Sequence, residues 1–159
     1  MTYFFFGTLM DRDVLATVLD RPIVRGELGR AWLHDYQRVR AATASYPALV
    51  PAAGVIVGGV LFHPRSTRED VRIRHFEDEE YLERWLYALV PGGNRLPVRV
   101  FFSLEVLGHT DEPWDLATWA RQHKATFLEQ CRVWMRDCPA HGRDNGPCTK
   151  TNMVAGGRR

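Results

Sequence analysis

Near the N-terminus four aromatic residues, Tyr3, Phe4, Phe5 and Phe6, run without a break into Gly7 and Thr8. A short apolar run that stops at glycine reads as a buried strand ending in a tight turn. Such a turn leaves the backbone N–H groups of Gly7, Thr8 and Leu9 without strand partners. Asp11 and Asp13 then precede Val14, Leu15, Val18 and Leu19, a helical spacing behind an N-cap residue. Strand, glycine turn and helix start gather backbone donors at one point, where an anion can be held. Ordinary core strands end the same way, so the turn by itself does not choose between the two readings.

The chain has 159 residues, 45% hydrophobic and 25% charged, which is enough apolar material for one packed domain and unlike a disordered chain. Its 21 Lys and Arg against 19 Asp and Glu leave a net charge of +2, and the basic residues are scattered. That balance argues against nucleic acid or an anionic membrane as partner. The Tyr3–Phe6 run has no basic segment before it and is too short for a signal peptide or a membrane span, so the expected compartment is the cytoplasm. Cys131, Cys138 and Cys148 are an odd number and read as thiols rather than a disulfide framework.

Further along, residues 31–39 read as a strand whose imperfect alternation fits bending around a closed sheet. Residues 44–51 carry two prolines and read as an extended loop. Residues 54–62 are β-branched with interior glycines, the pattern of a strand that coils sharply or meets another backbone closely. The charged stretch from Arg65 to Arg84 is not settled as helix or strand by its apolar markers Val71, Ile73 and Phe76. Trp85, Tyr87 and Leu89 alternate out to Pro91-Gly92-Gly93-Asn94, and Val98, Val100 and Phe102 alternate back, which predicts a β-hairpin. Trp114-Asp115 offers a cap for one last helix, with an apolar stripe through Leu116, Trp119, Ala120, His123, Phe127, Cys131, Trp134 and Met135. Lys124 and Glu129 fall off that stripe and are expected to face solvent. The domain is expected to span residues 1–140, followed by a polar tail over 141–159. Strands, few helices and internal glycines together predict an α+β domain with a curled or closed mixed sheet.

Glu77, Asp78, Glu79 and Glu80 form the densest polar cluster, and most of such a run is ordinarily a solvated face. Glu77 differs in following Phe76, which must bury. A carboxylate at the edge of an apolar pocket has its pKa raised by desolvation, which suits it to proton transfer near neutral pH. His123, Cys131, Cys138, His141 and Cys148 fit no metal-ligand spacing and read as a core histidine and small thiols, so no metal site is expected. Ser45 and Ser103 lack a nucleophile elbow, and Gly7 with Gly58-Gly59 does not make a phosphate loop.

Several of these pieces resemble one family in order. Phe4-Phe5-Phe6-Gly7-Thr8-Leu9-Met10 is similar to the N-terminal (F/V)-x-Y-G-(T/S)-L signature of the gamma-glutamylcyclotransferase-like superfamily. Tyr46-Pro47-Ala48-Leu49-Val50-Pro51 resembles its Y-P-A-L-V-P loop, and Gly58-Gly59-Val60-Leu61-Phe62 the strand that follows. Phe76-Glu77-Asp78-Glu79-Glu80-Tyr81 resembles F-E-G-x-x-Y, and Pro113-Trp114-Asp115 with the helix after it a common C-terminal pattern. The resemblance implies a small mixed β-barrel with flanking helices. It implies that the turn Phe6-Gly7-Thr8-Leu9 binds a glutamyl group, that Glu77 is the catalytic acid/base, and that Tyr81 helps line the pocket.

The implied reaction needs no cofactor. A γ-glutamyl amide carries its own nucleophile, the α-amine, which closes on the γ-carbonyl to give 5-oxoproline and expel an amine. The implied partner is therefore a small γ-glutamyl substrate. Two residues depart from the pattern: Phe6 stands where the family usually has Tyr, and Asp78 where it usually has Gly. A residue other than glycine disfavours positive φ, although Asp tolerates it better than most. These departures keep a second reading open, a module on the same fold that binds a small ligand without chemistry. A weaker third is a regulatory partner acting through the polar tail.

Overall fold

The first strand is buried on both faces, and the rest of the architecture follows from that. The computed structural model describes residues 1–78, 81–103 and 108–139. β1 (Tyr3–Phe5) sends Tyr3 and Phe5 toward a layer of helices and Phe4 the other way, with Phe6 just beyond its end, into a second core. An unbroken aromatic run is what a strand covered on both sides requires.

Five strands close around the second core. β1 pairs antiparallel with β3 (Pro47–Phe62) and parallel with β5 (Arg95–Ser103). β5 continues to β4 (Tyr81–Leu89), then to β2 (Leu28–Ala41), which pairs with β3 and shuts the ring. β6 (His109–Pro113) adds to the far end of β2. Among the described residues the fold is thus a mixed five-stranded barrel flanked by four α-helices, the α+β class expected. The bend anticipated in the second strand is a register shift between His34 and Tyr36, where Asp35 takes φ 65° and accepts the Gly54 N–H. The close approach anticipated at the interior glycines is found at Gly59, where a Cβ would lie 2.4 Å from both the Phe5 carbonyl oxygen and the Phe4 ring. The hairpin stands as β4–β5, turned by Gly92 and Gly93 at positive φ.

Three local readings change. Residues 47–51 belong to β3 and not to a loop. Pro47 opens the strand and Pro51 lies beside the bulge, two places where a missing N–H is tolerated. The charged stretch resolves as α2 (Thr67–Glu77): Ser66 caps it through the Glu69 amide, acidic residues occupy its first turn, and Arg74 and His75 its last. The last helix is two, α3 (Leu116–Gln122) and α4 (Lys124–Trp134), broken at His123. That break leaves His123 exposed rather than in the core, and it turns Lys124 back onto Asp11 at 2.8 Å and Asp13 at 2.7 Å instead of into solvent. Cys131 is fully buried, as expected for a small core thiol. Among the described residues, no helix is long and apolar enough to cross a membrane.

α1 (Arg12–Leu19) is capped by Asp11, whose side chain accepts from the amides of Asp13 and Val14. With α2, α3 and α4 it covers Tyr3 and Phe5 in a core that also holds Phe62, Phe76, Phe101, Trp119 and Phe127. The barrel core is lined by Phe4, Phe6, Leu33, Leu49, Val57, Val98 and Val100 together with two alanines.

Candidate functional site

β1 gives way through Phe6 and Gly7 to a single 3-10 turn, Thr8–Met10, closed by Met10 N–H to Gly7 O and Asp11 N–H to Thr8 O at 3.0 Å each. Thr8 and Leu9 stand in its first turn, where helical geometry supplies no acceptor for their amides. The Gly7 amide donates to no backbone group among the described residues. Thr8 is 7% exposed, so the turn is nearly closed to solvent. Gly7 is required by packing: a Cβ there would sit 2.9 Å from Pro47 Cγ.

Pro47 and Tyr46 carry the arrangement onward. The Tyr46 ring lies 6.4 Å from that of Tyr81. The Tyr81 amide donates to Asp78 O at 3.4 Å, so Tyr81 folds back against the end of α2. Glu77 is the last residue of that helix and is half-buried. Phe76 before it is held edge-on by Phe127 and Trp134, with ring centroids 6.2 and 6.3 Å away. Asp78 after it has φ 53° and ψ −165°, a conformation that glycine adopts freely and other residues resist. The position where the sequence departs from F-E-G is thus one where the backbone calls for glycine.

Of the residues singled out in the sequence, Gly7 and Tyr81 are drawn together through Pro47 and Tyr46. Leu9 and Phe76 share the helix-side core, which ties the turn to the helix that carries Glu77. Among the described residues no hydrogen bond joins Glu77 directly to residues 7–9. Phe6 parts from the others, since its ring packs into the barrel and its carbonyl accepts from Arg38. Glu79, Glu80, His141 and Cys148 lie outside the described residues.

The sequence reading did not single out the groups that hold this constellation in place. Arg38 of β2 donates through Nη1 to Phe6 O at 2.8 Å and through Nε to Trp114 O at 3.1 Å. Trp114 and Trp119 direct their indole N–H groups to Ser45, at 2.7 Å onto its carbonyl and 3.4 Å onto its hydroxyl, which pins the segment leading into Tyr46. The signal for the tryptophans was available, because a buried indole needs an acceptor. A separate cavity of about 540 Å³ opens beside this brace, lined by Arg40, Ser45, Glu112, Trp114, Trp119 and His123 among others. None of Phe6–Leu9, Glu77 or Tyr81 lines it.

Residues 3–121 match the family described as gamma-glutamyl cyclotransferase, AIG2-like. Two curated relatives from Arabidopsis thaliana are AIG2-like protein D, 26% identical over 84% of this chain and 88% of its own length, and AIG2-like protein A, 28% identical over 79% and 76%. A solution structure from Arabidopsis thaliana superposes with a TM-score of 0.59 at 24% identity, over 85% of this chain and 90% of that one. A structure titled gamma-glutamyl cyclotransferase superposes with a TM-score of 0.53 at 9% identity, over 93% of each chain. At these identities the two structures speak for the fold.

Proposed function

For this chain, which belongs to the gamma-glutamyl cyclotransferase, AIG2-like family, we propose the release of 5-oxoproline and an amine from a γ-glutamyl amide, with Glu77 as general acid/base. The observation that carries the reading is the turn after β1. Among the described residues the amides of Gly7, Thr8 and Leu9 meet no backbone acceptor, and the turn is braced through Pro47 and Tyr46 against Tyr81, next to the end of the helix that bears Glu77.

The chemistry divides between these two parts. The substrate's α-ammonium loses a proton to the Glu77 carboxylate. The freed amine attacks the γ-carbonyl, forming the ring C–N bond and a tetrahedral oxyanion. As the original C–N bond breaks, the protonated Glu77 returns its proton to the leaving nitrogen. The ring nitrogen, still carrying one proton too many after the attack, releases it to the regenerated carboxylate and on to the departing amine, which leaves as an ammonium. One carboxylate thus serves as base and then acid, a role that contributes on the order of 10²–10⁴ in rate. The ring closure is intramolecular, so positioning supplies much of the remaining acceleration. The amides of Gly7, Thr8 and Leu9 hold the substrate's α-carboxylate, and Tyr81 closes the pocket beside it.

Phe6 favours the second reading, a binding module without turnover, because it brings no hydroxyl to the site. The two are separated by incubating the protein with a panel of γ-glutamyl amines and peptides and measuring 5-oxoproline. Release coupled one-to-one to the free amine supports the enzyme. Saturable binding with no product supports the module.

A further inference from the structure

Arg38 is a cation set among neutral carbonyls. Its Nη1 donates to Phe6 O at 2.8 Å and Gly58 O at 3.3 Å, and its Nε to Trp114 O at 3.1 Å. The guanidinium also lies 5.3 Å over the Trp114 ring. Several other cations of this fold meet carboxylates closely: Arg21 reaches Glu69 at 2.6 Å, Arg99 reaches Glu83 at 2.8 Å and Lys124 reaches Asp11 at 2.8 Å. Arg12 and Arg72 donate to one carbonyl each, of Ile23 and Val18, whereas Arg38 gathers three. Among the described residues Arg38 has no carboxylate within ion-pair distance. Burial pulls its pKa down, and Asp115 pulls the other way from beyond contact. A half-buried charge without a counter-charge is costly, so its placement calls for a use.

The Phe6 carbonyl shows the use. The peptide bond between Phe6 and Gly7 is trans and planar, so its oxygen and its N–H point in opposite directions. By holding Phe6 O, Arg38 fixes the plane of that peptide and turns the Gly7 N–H to the far side. A cation on the oxygen also draws electron density from the amide and makes its N–H a stronger donor. We propose that Arg38 is a positioning residue of the turn: it orients and polarises the Phe6–Gly7 peptide so that the Gly7 N–H receives the carboxylate of an anionic ligand. Under the cyclotransferase reading, on which this inference rests, that carboxylate is the α-carboxylate of the γ-glutamyl group.

The test separates charge recognition from mere folding by using two probes of one shape, 5-oxoproline and its neutral carboxamide. Both are titrated into the full chain while the Gly7 amide resonance is followed. Wild type is expected to shift that resonance and to prefer the carboxylate. Arg38→Met is expected to weaken 5-oxoproline binding about tenfold with the carboxamide little changed, and Arg38→Lys to recover part of the preference. Should Arg38→Met not fold, Arg38→Gln carries the same comparison, because it keeps a neutral donor and loses the charge. A folded variant without the charge that discriminates as well as wild type overturns the proposal, as does a Gly7 amide in wild type that ignores 5-oxoproline. Failure of the catalytic reading looks different: no 5-oxoproline release from any γ-glutamyl compound, with the carboxylate preference and its dependence on Arg38 intact.

Discussion

The two cores on either side of β1 are built by different means. Inside the barrel Phe4 and Phe6 meet alanine, valine and leucine, with Tyr36 and Phe102 among the residues packed against them. On the other side Tyr3 and Phe5 meet helices that are tied down by charge. Arg21 bridges Glu27 and Glu69, Arg99 bridges Glu83 and Asp70, and the Tyr3 hydroxyl donates to Asp70 at 2.6 Å. Burial, aided by Asp70, raises the Tyr3 pKa far above its ordinary value, so that hydroxyl stays a donor. The barrel interior holds by shape, and the helical layer with the strand residues that face it holds by shape plus a set of ion pairs. The turn at Gly7 rises from the first, Glu77 ends a helix of the second, and the candidate site is their seam.

Three experiments bear on that contrast. Gly59→Ala attacks the barrel by shape alone, since the new Cβ meets the Phe5 carbonyl and the Phe4 ring at 2.4 Å and the backbone oxygen cannot step aside. A loss of about 3 kcal/mol, insensitive to pH and salt, is expected in denaturant unfolding. Arg21→Met attacks the helical layer by charge. Burial raises the Glu27 and Glu69 carboxyls, but their bonds to Arg21 and to the Val24 and Arg65 amides outweigh it, and both titrate below the ordinary range. A depressed carboxyl contributes stability that is complete above its unfolded value, about pH 4.5, and lost as pH falls through the folded one. Wild type should therefore lose stability on acidification through that window. Arg21→Met should cost about 1–3 kcal/mol at neutral pH and flatten the acid slope, because only the Val24 and Arg65 amides and the Arg65 charge are then left to oppose burial. Asp78→Gly has the smallest effect and the opposite sign. It relieves a positive φ at the end of α2 and should raise stability by about 1 kcal/mol at the midpoint of a thermal melt.

Where the sequence spoke clearly, its signals were local. Tyr3–Phe6 before Gly7, Asp11 before the α1 stripe and the glycine turn between β4 and β5 each lie within a dozen residues, and each forms as read. α2 was undecided because Val71, Ile73 and Phe76 are too few to declare a period; the informative signal was the cap from Ser66 to Glu69. Pro47 and Pro51 hid the start of β3, since proline breaks a strand only where its missing N–H is needed. The break at His123 left the apolar spacing through both helices intact and so was invisible to it. Arg38 was beyond reach for a different reason. Its partners Phe6, Gly58 and Trp114 stand 32, 20 and 76 residues away, and only closure of the barrel brings them to one guanidinium. For the candidate site, the motifs propose Glu77, the Phe6–Leu9 turn and Tyr81, but the brace of Ser45, Trp114 and Trp119 needed the fold.

The most direct test of the proposed activity is turnover by Glu77→Gln. The substitution keeps the size of the side chain and its place at the end of α2 and removes its charge and its capacity to take and return a proton. With a γ-glutamyl amine that wild type cyclises, the account predicts that kcat for 5-oxoproline release falls by about 10²–10⁴, while the thermal melt and 5-oxoproline binding stay near wild type. A Glu77→Gln protein that turns over as fast as wild type would contradict it.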